Sequence, residues 1–380
     1  MKFLHTADWH LGRLFHQVHL TDDQDFVLAK LFGIIEAHRP DAVVIAGDVY
    51  DRAVPPPEAV ELWDRTLCRI AGEMELPVIL IPGNHDSATR LGVGSELLRA
   101  SGVHIVSKLT RADIPIMLRG ADGVEVAFFG LPYAEPPQVR ELLNDSSIGD
   151  HDSAMEAMCD RMRENFRPGQ RNVLIAHAFV VGGSESESER PLSVGGAGTV
   201  RAEHFHGFDY VALGHLHSPQ RVGENAVYSG SLLKYSFSEC EDTKSVSLVD
   251  LSAQGEVTRR EIPLLARRDV RRLEGELQEL LARAATDPHR DDYLHVTLTD
   301  DGAILNAMAK LREGYPNVLN LERRFLERRD GESRSVARRG TSDADLFRNF
   351  VREVLNADTS EQELAVFAAA VPTADSEMPE

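Results

Sequence analysis

The sequence predicts a layered α/β domain over residues 1–255, a smaller α+β module at 256–340 and a helical tail at 341–380. Three observations predict this. Short runs of Val, Ile, Leu and Phe alternate with helix-like stretches through the first two thirds of the chain, the pattern of a central sheet with helices outside. Near residue 255 the character changes: residues 256–340 carry 17 basic and 16 acidic side chains and six Arg-Arg pairs, from Arg259-Arg260 to Arg338-Arg339. Residues 341–380 then hold 9 acidic and 2 basic side chains with an apolar stripe at helical spacing.

The elements follow in order. Lys2–Thr6 reads as a strand. Thr21 opens a helix with Gln24 in the capping-box position; Phe26, Leu28, Leu31 and Ile35 fall near helical spacing, and Pro40 follows the run. Ala42–Ala46 is a continuous apolar run of the buried-strand kind. Pro55-Pro56-Pro57 precedes a helical run over Glu58–Ile70, Val78–Ile81 is the third strand, and Ser95–Ala100 a short helix. Further strands are expected at Val103–Val106, Val124–Phe129, Asn172–Ala176, Tyr210–Leu213, Ala226–Ser229 and Ser245–Leu251. Gly182–Gly198, rich in Gly, Ser and Glu, has loop composition and reads as a solvated linker or as a substrate-facing flap. In the second module, Tyr293–Leu298 is strand-like and Ala303–Arg312 helix-like. In the tail, Leu346, Phe347, Phe350, Val351, Val354 and Leu355 recur at i, i+3, i+4, and Thr359-x-x-Gln362 or Ser360-x-x-Glu363 can cap a following helix through Ala370.

Composition narrows the classes. With 42% hydrophobic and 27% charged residues the chain has the make-up of a soluble globular protein, and 380 residues suit two or more domains. No apolar run approaches the roughly 20 residues that cross a bilayer. The N-terminus reaches Asp8 and His10 at once, so no secretory signal is expected. Cys68, Cys159 and Cys240 are widely spaced and form no metal-binding pattern, which fits a reduced, cytoplasmic protein. The net charge of −20 argues against a general polyanion binder, since such affinity rests on Lys and Arg neutralising phosphates. It is unevenly shared: −14 on residues 1–255, +1 on 256–340 and −7 on 341–380.

The chemistry lies at the strand ends. Asp8-Trp9-His10 follows the first strand, Gly47-Asp48 the second and Gly83-Asn84-His85-Asp86 the third; His177 and Gly214-His215-Leu216-His217 follow two later ones. Ligand sites in open α/β sheets lie off the carboxyl ends of strands. In Asp8-x-His10 and His215-x-His217, residues two apart face the same way on extended backbone. Glycines before Asp48, Asn84 and His215 permit close approach there. Alone, Asp48 reads equally as a turn residue and His177 as a satisfied core histidine; five such pieces in order do not. The donor set of Asp, His and Asn without Cys suits Mn²⁺ or Fe²⁺ better than Zn²⁺ or Mg²⁺. Seven donors exceed one tetrahedral ion and suit two octahedral ones completed by water.

These five pieces resemble the pattern of the calcineurin-like metallophosphoesterases. Longer stretches narrow the resemblance to the bacterial SbcD family of DNA repair nuclease subunits: Thr6–Arg13, Ser188-Glu189-Arg190-Pro191-Leu192, Phe208–His217 and Tyr228-Ser229-Gly230-Ser231-Leu232. It is close over residues 1–250; beyond that only the order of parts is similar. It implies a β-sandwich flanked by helices, the metallophosphoesterase fold, with a capping domain and C-terminal helices. One ion would be held by Asp8, His10, Asp48 and His217, and a second by Asp48, Asn84, His177 and His215, with Asp48 bridging. Two ions roughly 3.5–4 Å apart activate a water and stabilise an in-line displacement at phosphorus. His85 would protonate the leaving oxygen or stabilise the transition state, and Asp86 would orient it. Archaeal and eukaryotic members carry a His where this chain has Asp51, as bacterial members commonly do, so that accessory role is not carried over.

The implied activity is that of a Mn²⁺-dependent nuclease in DNA repair, recombination and replication, a double-strand exonuclease and single-strand or hairpin endonuclease. Its implied partners are DNA, a second copy paired through residues 58–70 and 87–100, and a coiled-coil ATPase of the SbcC type, within a heterotetramer. The setting is cytoplasmic, nucleoid-associated on DNA, without a membrane. The tail would bind the ATPase by a helix-in-groove contact; folding back on its own capping domain is the alternative. The Arg pairs fit phosphate contacts or a solvated helix face. Rival readings are a small-molecule phosphodiesterase or phosphoprotein phosphatase on the same scaffold, and a scaffold without chemistry, which predicts lost ligands where none is missing.

Overall fold

The computed structural model describes residues 1–189, 198–302, 304–324, 342–355 and 358–370. They divide into two compact units, Met1–Val270 and Arg271–Glu380. The boundary expected after residue 255 falls inside the first unit. Val257–Pro263 pairs antiparallel with Ser245–Leu251 along its whole length, so this hairpin closes one edge of a sheet.

Two six-stranded sheets face each other in the first unit. One runs Val257–Pro263, Ser245–Leu251, Lys2–Thr6, Ala42–Ala46, Val78–Ile81, Val103–Ile105, the last four parallel. The other runs Gln220–Val222, Ala226–Tyr228, Tyr210–Gly214, Arg171–His177, Glu125–Leu131, Ile116–Arg119, with four parallel strands at its centre. The sequence predicted sheet at the centre with helices outside, and the family resemblance a β-sandwich; the two sheets are that sandwich. An apolar run states that a strand is buried on both faces but not which strand it pairs with, so the strand order is legible only in the fold.

Side-chain alternation builds the layers. Val126 and Phe128 join Phe3, Val44, Ile79 and Val173 between the sheets. Their neighbours Ala127 and Phe129 turn outward onto Met155, Met158 and Met162 of the helix His151–Arg163. Beside the first sheet, the helices Thr21–His38 and Pro57–Leu67 pack on each other. The fold is a β-sandwich flanked by helices. None of the described helices is long and apolar enough to cross a membrane.

His5, in the first strand, is buried with Nδ1 3.0 Å from the Tyr210 hydroxyl and Nε2 3.2 Å from the Leu213 carbonyl. Burial drives its pKa from 6.5 down to about 3. Between those values the unfolded chain binds a proton that the folded chain does not. Stability is therefore full above about pH 6.5 and falls as the pH drops, by about 1.4 kcal/mol per unit from this group. His5→Gln, which can still bond both partners, is expected to remove one proton's worth of that slope in urea unfolding between pH 4 and 7. An unchanged slope would assign the acid sensitivity to other groups.

The second unit has a three-stranded sheet ordered Val270–Gly275, Tyr293–Leu298, Val318–Arg323, with the last two parallel, and the helices Leu277–Ala284 and Ala307–Gly314. Leu280, Leu294, Val296, Leu311, Tyr315 and Val318 fill its core. The expected helix Ala303–Arg312 begins later, at Ala307; Ala303 lies outside the described residues. Several arginines of the paired set bond carboxylates within their own unit: Arg259 with Glu261, Arg268 with Asp23, Arg271 with Asp287 and Asp292, Arg324 with Glu274. Arg328-Arg329 and Arg338-Arg339 lie outside the described residues. The tail forms two helices, Asp343–Leu355 and Glu361–Ala370, joined by stacked rings of Phe347 and Phe367 at 4.1 Å. Ser360 and Glu363 form the expected capping box, with Ser360 N donating to Glu363 Oε2 at 2.8 Å and Glu363 N to Ser360 Oγ at 3.3 Å. Leu346 and Phe350 are exposed and Val351 is buried; the side chains of Val354 and Leu355 are outside the described set.

Candidate metal centre

Each expected ligand sits where a strand ends and the backbone turns sharply. Asp8, His10, Asp48 and His215 all have positive φ, of 54°, 47°, 50° and 105°. A side chain in that region is strained, and such strain collects where geometry is imposed by the surroundings. Main-chain bonds impose it here: Asp8 N donates to Gly47 O at 3.1 Å, and His10 N to Asp48 O at 3.0 Å. Two carboxylates tie the loops further, as Asp8 Oδ1 accepts from His215 N at 2.9 Å and Asp48 Oδ1 from His85 N at 2.9 Å. Gly83 is required for close approach, because a Cβ there would stand 2.5 Å from the Asp48 amide nitrogen and closer still to its carboxylate.

All seven expected ligands meet. His10 Nε2 lies 3.0 Å from His217 Nε2, and Asp8 belongs to the same group. His177 Nε2 lies 2.8 Å from Asn84 Oδ1, which is 3.4 Å from His215 Nδ1. Asp48 Oδ2 stands between the two sets, 3.7 Å from His10 Nε2 and 3.4 Å from His177 Nε2. His177 Nδ1 donates to Ala46 O at 2.9 Å, which turns the Nε2 lone pair inward. Two ring nitrogens 3.0 Å apart, with carboxylates and an amide oxygen beside them, form a compact buried cluster of potential ligand atoms. Divalent cations fit this set, and its O/N donor chemistry is the kind that Mn²⁺ and its neighbours accept.

The electrostatics agree. Burial pushes Asp8 well above the carboxylate range, and the Asp48 charge adds to it. Burial also acts to raise Asp48, but the imidazoles of His177 and His10 outweigh it and hold Asp48 well below the usual range. Burial lowers His10 and His215 far below 6.5, so both are neutral and able to coordinate. His177 moves the other way, to about 9: burial opposes its charge, and Asp48 overrides it. In the absence of a cation, a proton on His177 thus balances the charge that Asp48 keeps.

Three sequence expectations change. Asp86 does not orient His85. Its carboxylate accepts from the backbone N–H groups of Val49, Tyr50 and Gly83 at 3.1, 2.9 and 3.0 Å, so it holds together the two loops that carry Asp48 and Asn84. His85 is oriented instead by Asp51, whose main-chain carbonyl lies 2.8 Å from Nδ1. Gln24 makes no capping box, since the helix starts without a side-chain cap. Its amide instead donates to the carbonyls of Trp9 and His10, at 3.1 and 2.7 Å, and accepts from Gly12 N at 3.0 Å, fixing the His10 loop from within the helix. The Gly/Ser/Glu-rich segment is exposed at Gly182, Ser184, Glu185 and Glu187 but is not solvated throughout, because Ser188 is buried and bonded at the site; residues 190–197 lie outside the described set.

Sequence reasoning missed the residues behind His217. Glu189 Oε1 accepts from His217 N at 2.7 Å, and Lys244 Nζ donates to His217 O at 2.8 Å. Lys244 also pairs with the buried Glu239 at 2.6 Å. Arg13 bonds Asp51 Oδ1 at 3.0 Å and Ser188 O at 3.1 Å. A buried Glu and a buried Lys five residues apart before a strand were the available signal, but burial is not visible in one sequence.

Residues 1–219 match the family model of calcineurin-like phosphoesterases, and residues 266–354 match the SbcD_C model, described as the type 5 capsule protein repressor C-terminal domain. A Staphylococcus epidermidis protein, named as the D component of nuclease SbcCD, is 33% identical over 362 residues, 95% of each chain. A protein of the same name from Staphylococcus saprophyticus subsp. saprophyticus is 36% identical over 322 residues, 84% of each chain.

Proposed function

We propose that this chain, which belongs to the calcineurin-like phosphoesterase family and within it to the line of SbcCD nuclease D components, is the nuclease subunit of a DNA repair complex. It is a metal-dependent hydrolase of phosphodiester bonds. The observation that carries the finer reading is Asp48 Oδ2, placed 3.7 Å from one histidine and 3.4 Å from another, each belonging to a separate donor set. Asp8, His10, Asp48 and His217 would hold one ion, and Asp48, Asn84, His177 and His215 a second, both Mn²⁺. When bound, the ions supply an activated water and charge stabilisation at the phosphoryl oxygens. The chain supplies the rest. Asp8 and Asp48 tie the loops to a common geometry. The Asp51 carbonyl orients His85 through Nδ1, which leaves Nε2 to protonate the leaving oxygen or to stabilise the transition state.

With its ATPase partner present, the full chain is expected to cut linear and hairpin DNA in Mn²⁺ and to stop when EDTA removes the metal. Good turnover of a small phosphodiester without any DNA cleavage by the complex would overturn the nuclease reading.

The chain then comprises a nuclease domain, a capping domain that presents DNA and a C-terminal tail. The tail's two helices, with Leu346 and Phe350 exposed, support docking on an SbcC-type coiled-coil ATPase. Deleting 341–380 is expected to abolish co-purification with that partner while leaving Mn²⁺ binding intact; retained association would count against the tail. Pairing with a second copy is supported by the groove of about 670 Å³ whose lining includes Val60, Trp63, Leu67, Val93 and Leu98. A cytoplasmic setting completes the reading.

A further inference from the structure

His217 is gripped at every polar atom it owns except the one that faces the metal cluster. Its backbone N–H goes to Glu189, its carbonyl takes the Lys244 ammonium, and its Nδ1 lies 2.5 Å from Ser188 Oγ. A hydroxyl has one proton. That of Ser188 is directed to Glu239 Oε1, also at 2.5 Å, so toward His217 the oxygen can only accept. His217 must therefore carry its proton on Nδ1 and leave Nε2 as a lone pair, 3.0 Å from His10 Nε2 and inside the cluster. Lys244, 2.6 Å from Glu239 and itself buried, keeps the far end of this chain anionic.

The geometry points to Ser188 and Glu239 as a positioning relay for His217: Glu239 orients the Ser188 hydroxyl, and that hydroxyl selects the imidazole tautomer that can bind the first ion. Neither residue reaches the reacting atoms; both act through the ring. The inference rests on the two-ion reading of the site. It gives the Gly/Ser/Glu-rich segment a task that its composition concealed, since one loop clamps both the main chain and the ring of a ligand 29 residues further on. It also explains why His177 needs no such relay, because the Ala46 carbonyl at 2.9 Å performs the same selection directly. Partners that orient a metal-binding histidine typically contribute about 10–100-fold in metal affinity.

The test uses the metal-free full chain titrated with MnCl₂ by calorimetry, beside ¹⁵N-histidine NMR of the same samples. Ser188→Ala is expected to weaken one of two Mn²⁺ sites by about 10–100-fold and leave the other unchanged. In the NMR, one histidine should pass from a single Nδ1–H tautomer to a mixture. Ser188→Thr, which restores the hydroxyl, should recover both readings. Ser236→Ala removes another hydroxyl from the same Glu239 oxygen, 2.8 Å away, without touching His217. It should leave both readings as in the parent. Parental Mn²⁺ affinity with an unmixed tautomer in Ser188→Ala would overturn the relay, as would an equal loss in Ser236→Ala. Fewer than two Mn²⁺ bound by the parent would instead overturn the two-ion reading, and the tautomer result would then decide the relay by itself.

Discussion

Asp48→Asn is expected to abolish DNA cleavage and the binding of both ions together, with kcat/KM falling by roughly 10⁴-fold or more. The substitution keeps the shape of the side chain, and one amide oxygen could still accept from His85 N as Asp48 Oδ1 does at 2.9 Å. What it removes is the charge that both donor sets share. The two histidine nitrogens at 3.7 and 3.4 Å lose their common anion, and an NH₂ group can take the place of an acceptor. The variant should also release the proton on His177 more readily, because Asp48 is the main influence holding that imidazole at about 9. Mn²⁺ titration and a cleavage assay on the same preparation check this. Two tightly bound ions in Asp48→Asn would remove the shared carboxylate from the mechanism.

Much of this cluster could be read from the sequence because the residues that meet there obey a local rule. Each follows a buried strand by zero to a few residues, so Asp8, Asp48, Asn84, His177 and His215 were found one strand at a time. What holds them obeys no local rule. Ser188 and Glu239 are 51 residues apart, and Gln24 reaches back from a helix to the His10 loop. A Gln three residues into a helix has a cheaper local explanation as a cap, and only the fold replaces it with a buried bond. Asp86 was misread for the same reason: adjacency to His85 suggested a pair, while its acceptors serve N–H groups 36 and 37 residues away. The charge of −20 likewise looked hostile to DNA, yet Asp8 and Asp48 lie buried among the clustered histidines and not on the surface.

His85→Ala separates chemistry from metal binding. His85 belongs to neither donor set of the two proposed ions, and its ring meets the edge of His10 with centroids 4.7 Å apart. The Asp51 carbonyl, 2.8 Å from Nδ1, accepts that N–H, so Nε2 is the ring nitrogen left to face the leaving oxygen. Loss of a positioned proton donor costs about 10²–10⁴-fold in rate. Cleavage of DNA, whose leaving alkoxide needs a proton, should fall by that amount with both Mn²⁺ ions still bound and the melting temperature unchanged. A phosphodiester with a p-nitrophenolate leaving group needs no proton and should lose far less. Equal losses on the two substrates would mean that His85 stabilises charge on the phosphoryl group and does not protonate the leaving oxygen. The ratio of the two losses thus assigns the role that position alone leaves open between acid and electrostatic stabiliser.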